Sequence, residues 1–283
     1  MTSNNARDRI LVPLDGSKNA ENAIPLAAVM ARVFGSDIEF FQAREPGDTP
    51  ADDKAAADVF EAYVAERAAH FGLAPEEVVA TSVVAPAAAA VLDAADAPEV
   101  RGTVLASHGR GGFRAALFGS VADRIIRGST KPVLVVPGVG GPATEIKQVL
   151  VTLDGSKVAE RALEPARRIA TTTGAKLALL RAYSIVSPAA AAYPYYPPDV
   201  PRQIADAAAE YIKDVAQKGE ESLVVQGDAA AGIVAAANAR DADLVVMSSH
   251  GKSFSKRFIV GSTTDRVMHE LHRPLLIIPP GRG

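Results

Sequence analysis

The chain repeats itself, and this repeat constrains the fold more than any other feature of the sequence. Residues 10–17, ILVPLDGS, return as VLVTLDGS at residues 149–156, an offset of 139. Residues 107–125, SHGRGGFRAALFGSVADRI, return as SHGKSFSKRFIVGSTTDRV at residues 249–267, an offset of 142. Self-similarity at a fixed spacing is the signature of a duplicated structural unit. The sequence therefore predicts one fold that is present twice.

The length of the chain fits two such units. With 283 residues, each half is long enough to bury a hydrophobic core of its own. Between the halves lies GVGGPATE, a polar stretch rich in Gly and Pro that is typical of a linker. We predict a first domain over residues 7–137, a linker over residues 138–145 and a second domain over residues 146–280.

Short apolar segments alternate with helical patterns in each half. Ser17 is a candidate N-cap for a helix from Asn19 to Phe34, which Gly35 ends. Short, almost uniformly apolar strands joined by helices indicate a parallel sheet covered on both faces. We therefore predict an α/β fold with two tandem doubly wound, Rossmann-like domains, each with a five-stranded parallel sheet flanked by helices. The predicted strands of the first half are residues 10–14, 37–43, 78–84, 103–107 and 132–136.

Composition excludes several classes of function. Thirty Lys and Arg against thirty-three Asp and Glu give a net charge of -3, and there is no basic block, so we expect no nucleic-acid partner. No stretch approaches the roughly 18 consecutive apolar residues that span a bilayer, so we expect no membrane partner. Cysteine is absent, which excludes disulfides and thiolate metal sites and suits a reducing compartment. We expect a cytoplasmic protein.

An aspartate follows the first predicted strand of each half. Asp15 and Asp154 each precede Gly-Ser, at the end of the strand where parallel sheets bind ligands. A carboxylate there can bond a ribose hydroxyl or hold Mg²⁺ on a polyphosphate. In the structural interpretation, Asp-Gly-Ser only forms the turn into the helix, with Asp and Ser bonding local backbone N–H groups. Both interpretations stay open on sequence alone.

A glycine loop follows the fourth predicted strand of each half. Nine residues separate Gly109 from Gly119, and nine separate Gly251 from Gly261. Glycine lets the backbone approach a phosphate closely, and N–H groups at a helix N-terminus favour negative charge. We therefore expect the amides of these glycines to wrap an anion.

Residues beside the glycines complete the predicted phosphate site. Ser120 and Ser262 follow the second glycine and open a helix, while Arg110 and Lys252 add positive charge after the first. The structural interpretation is a glycine loop whose serine only caps the helix. Recurrence after the same strand favours phosphate binding without deciding the matter, because duplication copies structural glycines as faithfully as functional ones.

These motifs resemble the universal stress protein family in its tandem, two-domain form. The ATP-binding members of that family carry an aspartate after strand 1 and a loop of the form G-x-x-G-x9-G-S/T. The resemblance covers nearly the whole chain and implies ATP binding; the carboxylates of Asp15 and Asp154 are the groups expected to meet Mg²⁺ carried by the phosphates. The matching positions are Asp15, Gly109, Gly119 and Ser120 in the first half and Asp154, Gly251, Gly261 and Ser262 in the second.

The first loop glycine is where the chain departs from the family pattern. Ala106 and Ser248 occupy that position, and such small side chains either leave room for the nucleotide or narrow the approach to its ribose and phosphates. The resemblance also implies an adenine pocket walled by a small residue near the end of strand 2, here Ala43 and Ala182. The remaining members of the expected nucleotide-binding set, one residue beyond each loop serine, are Val121 and Thr263.

Two histidines and a proline-rich segment suggest other hypotheses. His108 and His250 lie in Ser-His-Gly turns, where a structural role is favoured over a general base because no nucleophile or orienting acid is evident. Residues 187–201, rich in proline and tyrosine, form either a partner-docking loop or lid, or a stiff surface loop packed on its own domain.

The leading hypothesis is an ATP-binding universal stress protein that acts as a regulatory binding module with a protein partner. Two alternatives remain: a weak ATPase in which Asp15 brings Mg²⁺ to an attacking water, and a nucleotide-free interaction protein with vestigial glycine loops. No HExxH motif and no Walker loop is present, so no complete catalytic set is visible.

Assembly is expected at two levels. The family resemblance implies that last strands pair edge to edge, so residues 132–136, PVLVV, and 274–278, PLLII, are expected to pair inside one molecule, which would cover exposed strand edges. Two chains are then expected to associate as a homodimer, because symmetric dimers are the commonest homo-oligomers.

Overall fold

The computed structural model describes residues 7–44, 53–107, 118–138, 144–185, 199–250 and 260–280. By internal packing, the chain divides into two compact units. The first unit comprises Met1–Glu145 together with Pro274–Gly283, and the second comprises Ile146–Arg273. The final strand of the second sequence repeat therefore packs within the first unit.

Six of the strands that the structure describes form the sheet of the first unit. They are β1 (Arg9–Pro13), β2 (Asp37–Arg44), β3 (Val78–Val84), β4 (Val100–Ala106), β5 (Val133–Val136) and β10 (Leu275–Ile278). The parallel strands lie in the order β3-β2-β1-β4-β5, and β10 is antiparallel to β5 with Leu276 opposite Leu134. The expected pairing of these two segments inside one molecule is confirmed.

Helices connect the parallel strands of the first unit and pack against them. The helix α2 packs on β1 and β2, while α3 packs on β3. None of the helices that the structure describes, in either unit, is long and apolar enough to cross a membrane. The helices of the first unit are α1 (Lys18–Glu21), α2 (Ile24–Phe34), α3 (Asp53–His70), α4 (Ala87–Ala95) and α5 (Ser120–Gly128), with a 3₁₀ turn over Pro75–Glu77.

The second unit repeats the same pattern. Its four strands are parallel and lie in the order β9-β6-β7-β8, which reproduces the order β4-β1-β2-β3 of the first unit. The α/β fold with two repeated, mostly parallel halves is therefore confirmed. The strands are β6 (Gln148–Leu153), β7 (Lys176–Tyr183), β8 (Glu221–Gln226) and β9 (Leu244–Ser248). The helices are α6 (Lys157–Glu160), α7 (Leu163–Thr173), α8 (Val200–Val215), α9 (Ala229–Ala239) and α10 (Ser262–Glu270).

The central strands explain why their sequences are almost entirely apolar. Leu11 and Val12 in β1, and Val149 and Val151 in β6, are all 0% exposed. Neighbouring residues of a strand point to opposite faces of the sheet, so both faces must be covered. The buried apolar runs of β1 and β6 end at the carboxyl edge of the sheet, and polar residues follow them there.

The helix predicted from Asn19 to Phe34 is divided into α1 and α2. Pro25 has no N–H and so cannot donate to the carbonyl oxygen of Glu21, which an uninterrupted helix would require. Before it, the N–H groups of Asn22 and Ala23 bond carbonyl oxygens three residues back, at 3.2 and 3.1 Å, and not four residues back. The predicted cap is confirmed, because Ser17 Oγ accepts a hydrogen bond from the N–H of Ala20 at 3.2 Å.

Candidate functional site

The turn after the first strand is the same in both halves. Asp15 Oδ1 accepts the N–H of Ser17 at 2.9 Å, and Asp154 Oδ1 accepts the N–H of Ser156 at 2.9 Å. The intervening glycines, Gly16 and Gly155, have φ of 78° and 83°, a conformation that L side chains rarely adopt. The Asp-Gly-Ser turn thus has a structural role in each half, and it fixes one carboxylate oxygen at the edge of the sheet.

The helices α5 and α10 each begin at a glycine. Gly119 and Gly261 are the N-cap residues, with extended backbone, and Ser120 and Ser262 are the first helical residues. The interpretation in which the serine caps the helix is therefore wrong. The backbone is also close at 261, because a Cβ there would lie 3.3 Å from the carbonyl oxygen of Ser249, which is a tight contact.

The amides of these two glycines are already hydrogen-bonded. The N–H of Gly119 donates to the carbonyl oxygen of Ser107 at 2.8 Å, and the N–H of Gly261 donates to that of Ser249 at 2.8 Å. The expectation that these amides wrap an anion is wrong for both, because they close the loop onto the end of the preceding strand. Gly109 and Gly251 lie outside the described residues.

The next amides along the helix are the ones placed to meet an anion. In α10 the first intrahelical bond runs from the N–H of Asp265 to the carbonyl oxygen of Gly261, at 2.8 Å. The N–H groups of Ser262, Thr263 and Thr264 therefore have no acceptor within the helix and point out of its N-terminus. A helix N-terminus favours negative charge at this position.

A cavity of about 180 Å³ lies in the second unit at the carboxyl ends of its strands. We call it the second-half cavity. It lies beside the Asp154 turn, the ends of β7 and β9, and the start of α10. The structure brings together all six of the second-half site residues that were expected from sequence and that it describes. They are Asp154, Ala182, Ser248, Gly261, Ser262 and Thr263; Lys252, like Gly251, lies outside the described residues.

Sequence reasoning missed part of the wall of this cavity. Thr152 comes from the end of β6, Met247 from β9, and Thr264 from the first turn of α10. These residues align with Pro13, Leu105 and Ala122, which are apolar and belong to no motif, so the repeat offered no signal for them. The other lining residues are Leu153, Ala159, Leu180, Ala229, Ile233 and His250.

The site residues expected in the first half occupy corresponding places in the first unit. Asp15 follows β1, Ala43 lies near the end of β2 and Ala106 ends β4. These strands are neighbours and parallel, so their carboxyl ends share one edge of the sheet. Gly119, Ser120 and Val121 begin α5; Arg110 lies outside the described residues.

The two halves differ in the chemistry of this edge. Four positions that are apolar in the first half carry a hydroxyl group in the second, and all four of the second-half residues line the cavity. Hydroxyl groups both donate and accept hydrogen bonds, so the second half presents a more polar wall. The pairs are Pro13 and Thr152, Ala106 and Ser248, Val121 and Thr263, and Ala122 and Thr264.

A tyrosine and a glutamate join two helices beside each aspartate turn. The hydroxyl of Tyr63 donates to Glu21 Oε1 at 2.9 Å, and that of Tyr211 donates to Glu160 Oε1 at 3.4 Å. Burial and then the glutamate hydrogen bond raise the pKa of Tyr63 well above its usual value. Burial and then the charge of Glu160 raise the pKa of Tyr211 to about 12. Both phenols are therefore protonated donors at neutral pH.

An arginine lies near the ring of each tyrosine, but the two arginines belong to elements that do not correspond in the two halves. Arg67 of α3 lies 5.9 Å from the ring centre of Tyr63, whereas Arg181 of β7 lies 4.7 Å from that of Tyr211. The Arg181 guanidinium also lies against Gly155, where a Cβ would overlap it. Gly155 is thus constrained twice, by its φ and by this contact.

The histidines do not assemble a catalytic set within the described part of the chain. His250 Nδ1 lies 3.0 Å from Ser249 Oγ, a contact between adjacent residues, and His108 lies outside the described residues. Groups of three or more His, Cys, Asp or Glu that could hold a metal ion are absent from the described residues. The tyrosine-rich stretch at 187–201 falls almost wholly outside them.

Comparison with known proteins gives one consistent family. The model of the Universal stress protein family matches the chain twice, over residues 6–137 and 145–279. A universal stress protein of Thermus aquaticus is 31% identical over 135 residues, which cover 47% of this chain and 98% of that protein. A universal stress protein of Mycobacterium tuberculosis is 27% identical over 184 residues, which cover 63% of this chain and 62% of that protein.

A solved structure agrees at the level of the fold. The universal stress protein from Archaeoglobus fulgidus superposes with a TM-score of 0.68 at 19% identity, covering 96% of this chain and 98% of that one. Because the family model matches both halves, the chain belongs to the universal stress protein family and contains two such domains in tandem.

Proposed function

We propose that this chain binds an adenine nucleotide, with ATP as the expected ligand, and acts as a stress-response binding module. The observation that carries the proposal is the second-half cavity of about 180 Å³, which Asp154, Ala182 and the start of α10 line together. A concave site with mostly apolar walls and a few convergent polar groups is the usual form of a small-molecule site.

The phosphates would lie at the N-terminus of α10. The N–H groups of Ser262, Thr263 and Thr264 have no acceptor within the helix, and all three residues line the cavity. The helix dipole adds a partial positive charge of about half a unit at this end. Lys252 is proposed to add a full charge from the loop outside the described residues.

The base would lie against the apolar wall. Ala182 near the end of β7 is small enough to leave room for a planar ring, and Leu180, Ile233 and Met247 supply apolar surface. Burying the faces of a purine against such side chains is favourable at roughly 25 cal/mol per Å² of apolar area. The small residue at this strand end is thus proposed to serve the adenine, as the family resemblance implies.

Asp154 would meet the sugar or the metal. Its Oδ1 accepts the Ser156 amide, which fixes the carboxylate beside the cavity. A carboxylate so placed can accept a ribose hydroxyl or share Mg²⁺ with phosphate oxygens. Since the described residues hold no cluster able to bind a metal ion alone, Mg²⁺ is proposed to arrive with the nucleotide.

The proposal extends to the first half and to assembly. A second nucleotide would bind there through residues at the corresponding strand ends. We further propose a cytoplasmic homodimer that signals its occupancy to a protein partner. The proposed first-half contacts are Asp15, Ala43, Ala106, Gly109, Arg110, Ser120 and Val121.

Isothermal titration of the full chain with ATP and Mg²⁺ tests the proposal. We expect binding in the micromolar range, and we expect Asp154→Ala to weaken one class of site by about tenfold or more, because a charged hydrogen-bond partner is lost. Asp206→Ala is the matched control, since that carboxylate on α8 is 72% exposed. Flat titrations of the folded protein would instead favour a nucleotide-free interaction protein.

A phosphate-release assay on the same samples separates binding from turnover. We expect phosphate release to be far slower than nucleotide exchange. Rapid turnover that Asp15→Ala or Asp154→Ala abolishes would make the protein an ATPase.

A further inference from the structure

Ser248 brings a polar group to a position where the first half has none. It is the last residue of β9 and corresponds to Ala106, the last residue of β4. Ser248 lines the second-half cavity and is 6% exposed. Its Oγ is buried and makes no hydrogen bond with any described residue. A buried hydroxyl without a partner is unfavourable and rare in native proteins, so it calls for a reason.

The surroundings hold Ser248 in place without using its hydroxyl. Its carbonyl oxygen accepts a hydrogen bond from Thr264 Oγ1 at 3.1 Å, which ties the end of β9 to the first turn of α10. Both residues line the cavity, close to the start of the helix where the phosphates are proposed to lie. The backbone of Ser248 is therefore fixed, and its side chain is a pre-positioned donor or acceptor.

We propose that Ser248 Oγ is a specificity-determining group that hydrogen-bonds to an oxygen of the ribose phosphate part of the ligand. This inference rests on the proposed function, because it concerns the same cavity. The apolar wall at Leu180 and Ala182 belongs to the base, which leaves the sugar and its phosphate for the end near α10. The second half then selects its ligand by a contact that Ala106 cannot make in the first half.

The chain contains no tryptophan, so a single introduced tryptophan reports on the half that carries it. Tyr183→Trp exchanges one aromatic residue for another, one position beyond Ala182, and gives the second half the only tryptophan of the chain. Adenosine, AMP and 2′-deoxy-AMP are titrated into this parent protein and into its Ser248→Ala variant, with tryptophan fluorescence as the readout.

Two opposite effects are expected from Ser248→Ala. AMP should bind about fivefold to tenfold more weakly, as for the loss of one hydrogen bond. The ligand-free variant should unfold at the same temperature as its parent or higher, because an unpaired buried hydroxyl has been removed. If the penalty is the same for AMP and 2′-deoxy-AMP but absent for adenosine, the contact is to phosphate. If it is absent only for 2′-deoxy-AMP, the contact is to the 2′-hydroxyl.

A matched control lies in the first half. Thr103 in β4 is 1% exposed, and its Oγ1 likewise makes no hydrogen bond with a described residue. It aligns with Val245, which is not among the residues that line the second-half cavity. Thr103→Val should therefore leave or raise the unfolding temperature without changing the fluorescence titration.

Three results would overturn the inference. Equal affinities of parent and Ser248→Ala for AMP would reject it and leave the proposed function standing. A clear fall in the unfolding temperature of ligand-free Ser248→Ala would show that the hydroxyl is structural. Flat titrations of the parent protein by both fluorescence and calorimetry would reject the proposed function itself and this inference with it.

Discussion

The two halves of the chain share their backbone turns and differ in the side chains at the strand ends. Gly16 and Gly155 have nearly the same φ, 78° and 83°, and Gly119 and Gly261 cap the corresponding helices α5 and α10. Four of the positions that line the second-half cavity have changed instead, because they carry hydroxyls where the first half is apolar. Geometry tolerates few substitutions at the turns, whereas the four changed positions alter the polarity of the cavity wall without altering the backbone.

The packing around the shared turns has also diverged. The second half has an ion pair between α7 and the segment before β8, in which Arg167 Nε lies 2.6 Å from Glu220 Oε1. The residue that aligns with Arg167 in the first half is Ala28. The scaffolds are thus alike in topology but not in what stabilises them, and substitutions can separate the two halves.

The largest effect is expected at this ion pair. Arg167→Ala leaves Glu220, whose side chain is 9% exposed, without its positively charged partner, and should lower the free energy of unfolding by about 3 kcal/mol at pH 7. Urea denaturation measures the change. Arg202→Ala is the control, because that side chain is 86% exposed and its pair with Asp206 should contribute less than about 1 kcal/mol.

The effect of Arg167→Ala should depend on pH in one direction. Burial opposes ionisation of Glu220, but hydrogen bonds from Arg167 and from the N–H of Gln217 outweigh it and lower the pKa of this carboxyl. A group with a lowered folded pKa contributes stability above its unfolded pKa of about 4.3, and this contribution is lost as the pH falls through the folded pKa. The difference between wild type and variant should shrink below about pH 4. A constant difference from pH 7 to pH 3 would contradict this account.

The next largest loss of stability is expected from substitutions in the two aspartate turns. Gly155→Ala should cost about 2–3 kcal/mol, because an L residue is strained at this φ and Arg181 must leave the ring of Tyr211. Gly16→Ala should lower the free energy of unfolding by about 1–2 kcal/mol through the same strain, and residue 42, which takes the place of Arg181, is a glutamine. Thermal unfolding of both glycine variants, in the wild-type and Arg181→Ala backgrounds, measures the difference between their losses of stability. If this difference is unchanged in the Arg181→Ala background, Arg181 is not its cause.

The smallest loss of stability is expected from substitutions of the two tyrosines. Tyr63→Phe removes a 2.9 Å hydrogen bond to Glu21 and should cost about 1.5 kcal/mol. Tyr211→Phe removes a 3.4 Å contact to Glu160 and should cost about half as much. Urea midpoints at pH 7 give both values. A larger loss for Tyr211→Phe would mean that Arg181 orients this tyrosine more firmly than the distance indicates.

Much of the fold could be predicted because its causes are local. The apolar runs of β1 and β6 predict buried parallel strands, Ser17 predicts a helix start, and the repeat predicts a second copy. The division between α1 and α2 is also a local effect, of Pro25, although the longer helical pattern concealed it.

Parts of the candidate site depend on contacts that sequence spacing does not contain. The amide of Gly261 bonds the carbonyl oxygen of Ser249, which moves the expected anion donors to Ser262 and the residues after it. Arg181 meets Tyr211 across 30 residues of chain. The unpaired hydroxyl of Ser248 follows from its surroundings as a whole. Such features need the folded arrangement, because each is defined by residues from several elements.

Hydrogen–deuterium exchange of the full chain, with and without ATP and Mg²⁺, tests most directly whether the second-half cavity is the nucleotide site. The account predicts that ATP slows exchange of the amides of Ser262, Thr263 and Thr264, and that Asp154→Ala reduces this protection. Binding detected by calorimetry without any slowing of these amides would contradict it.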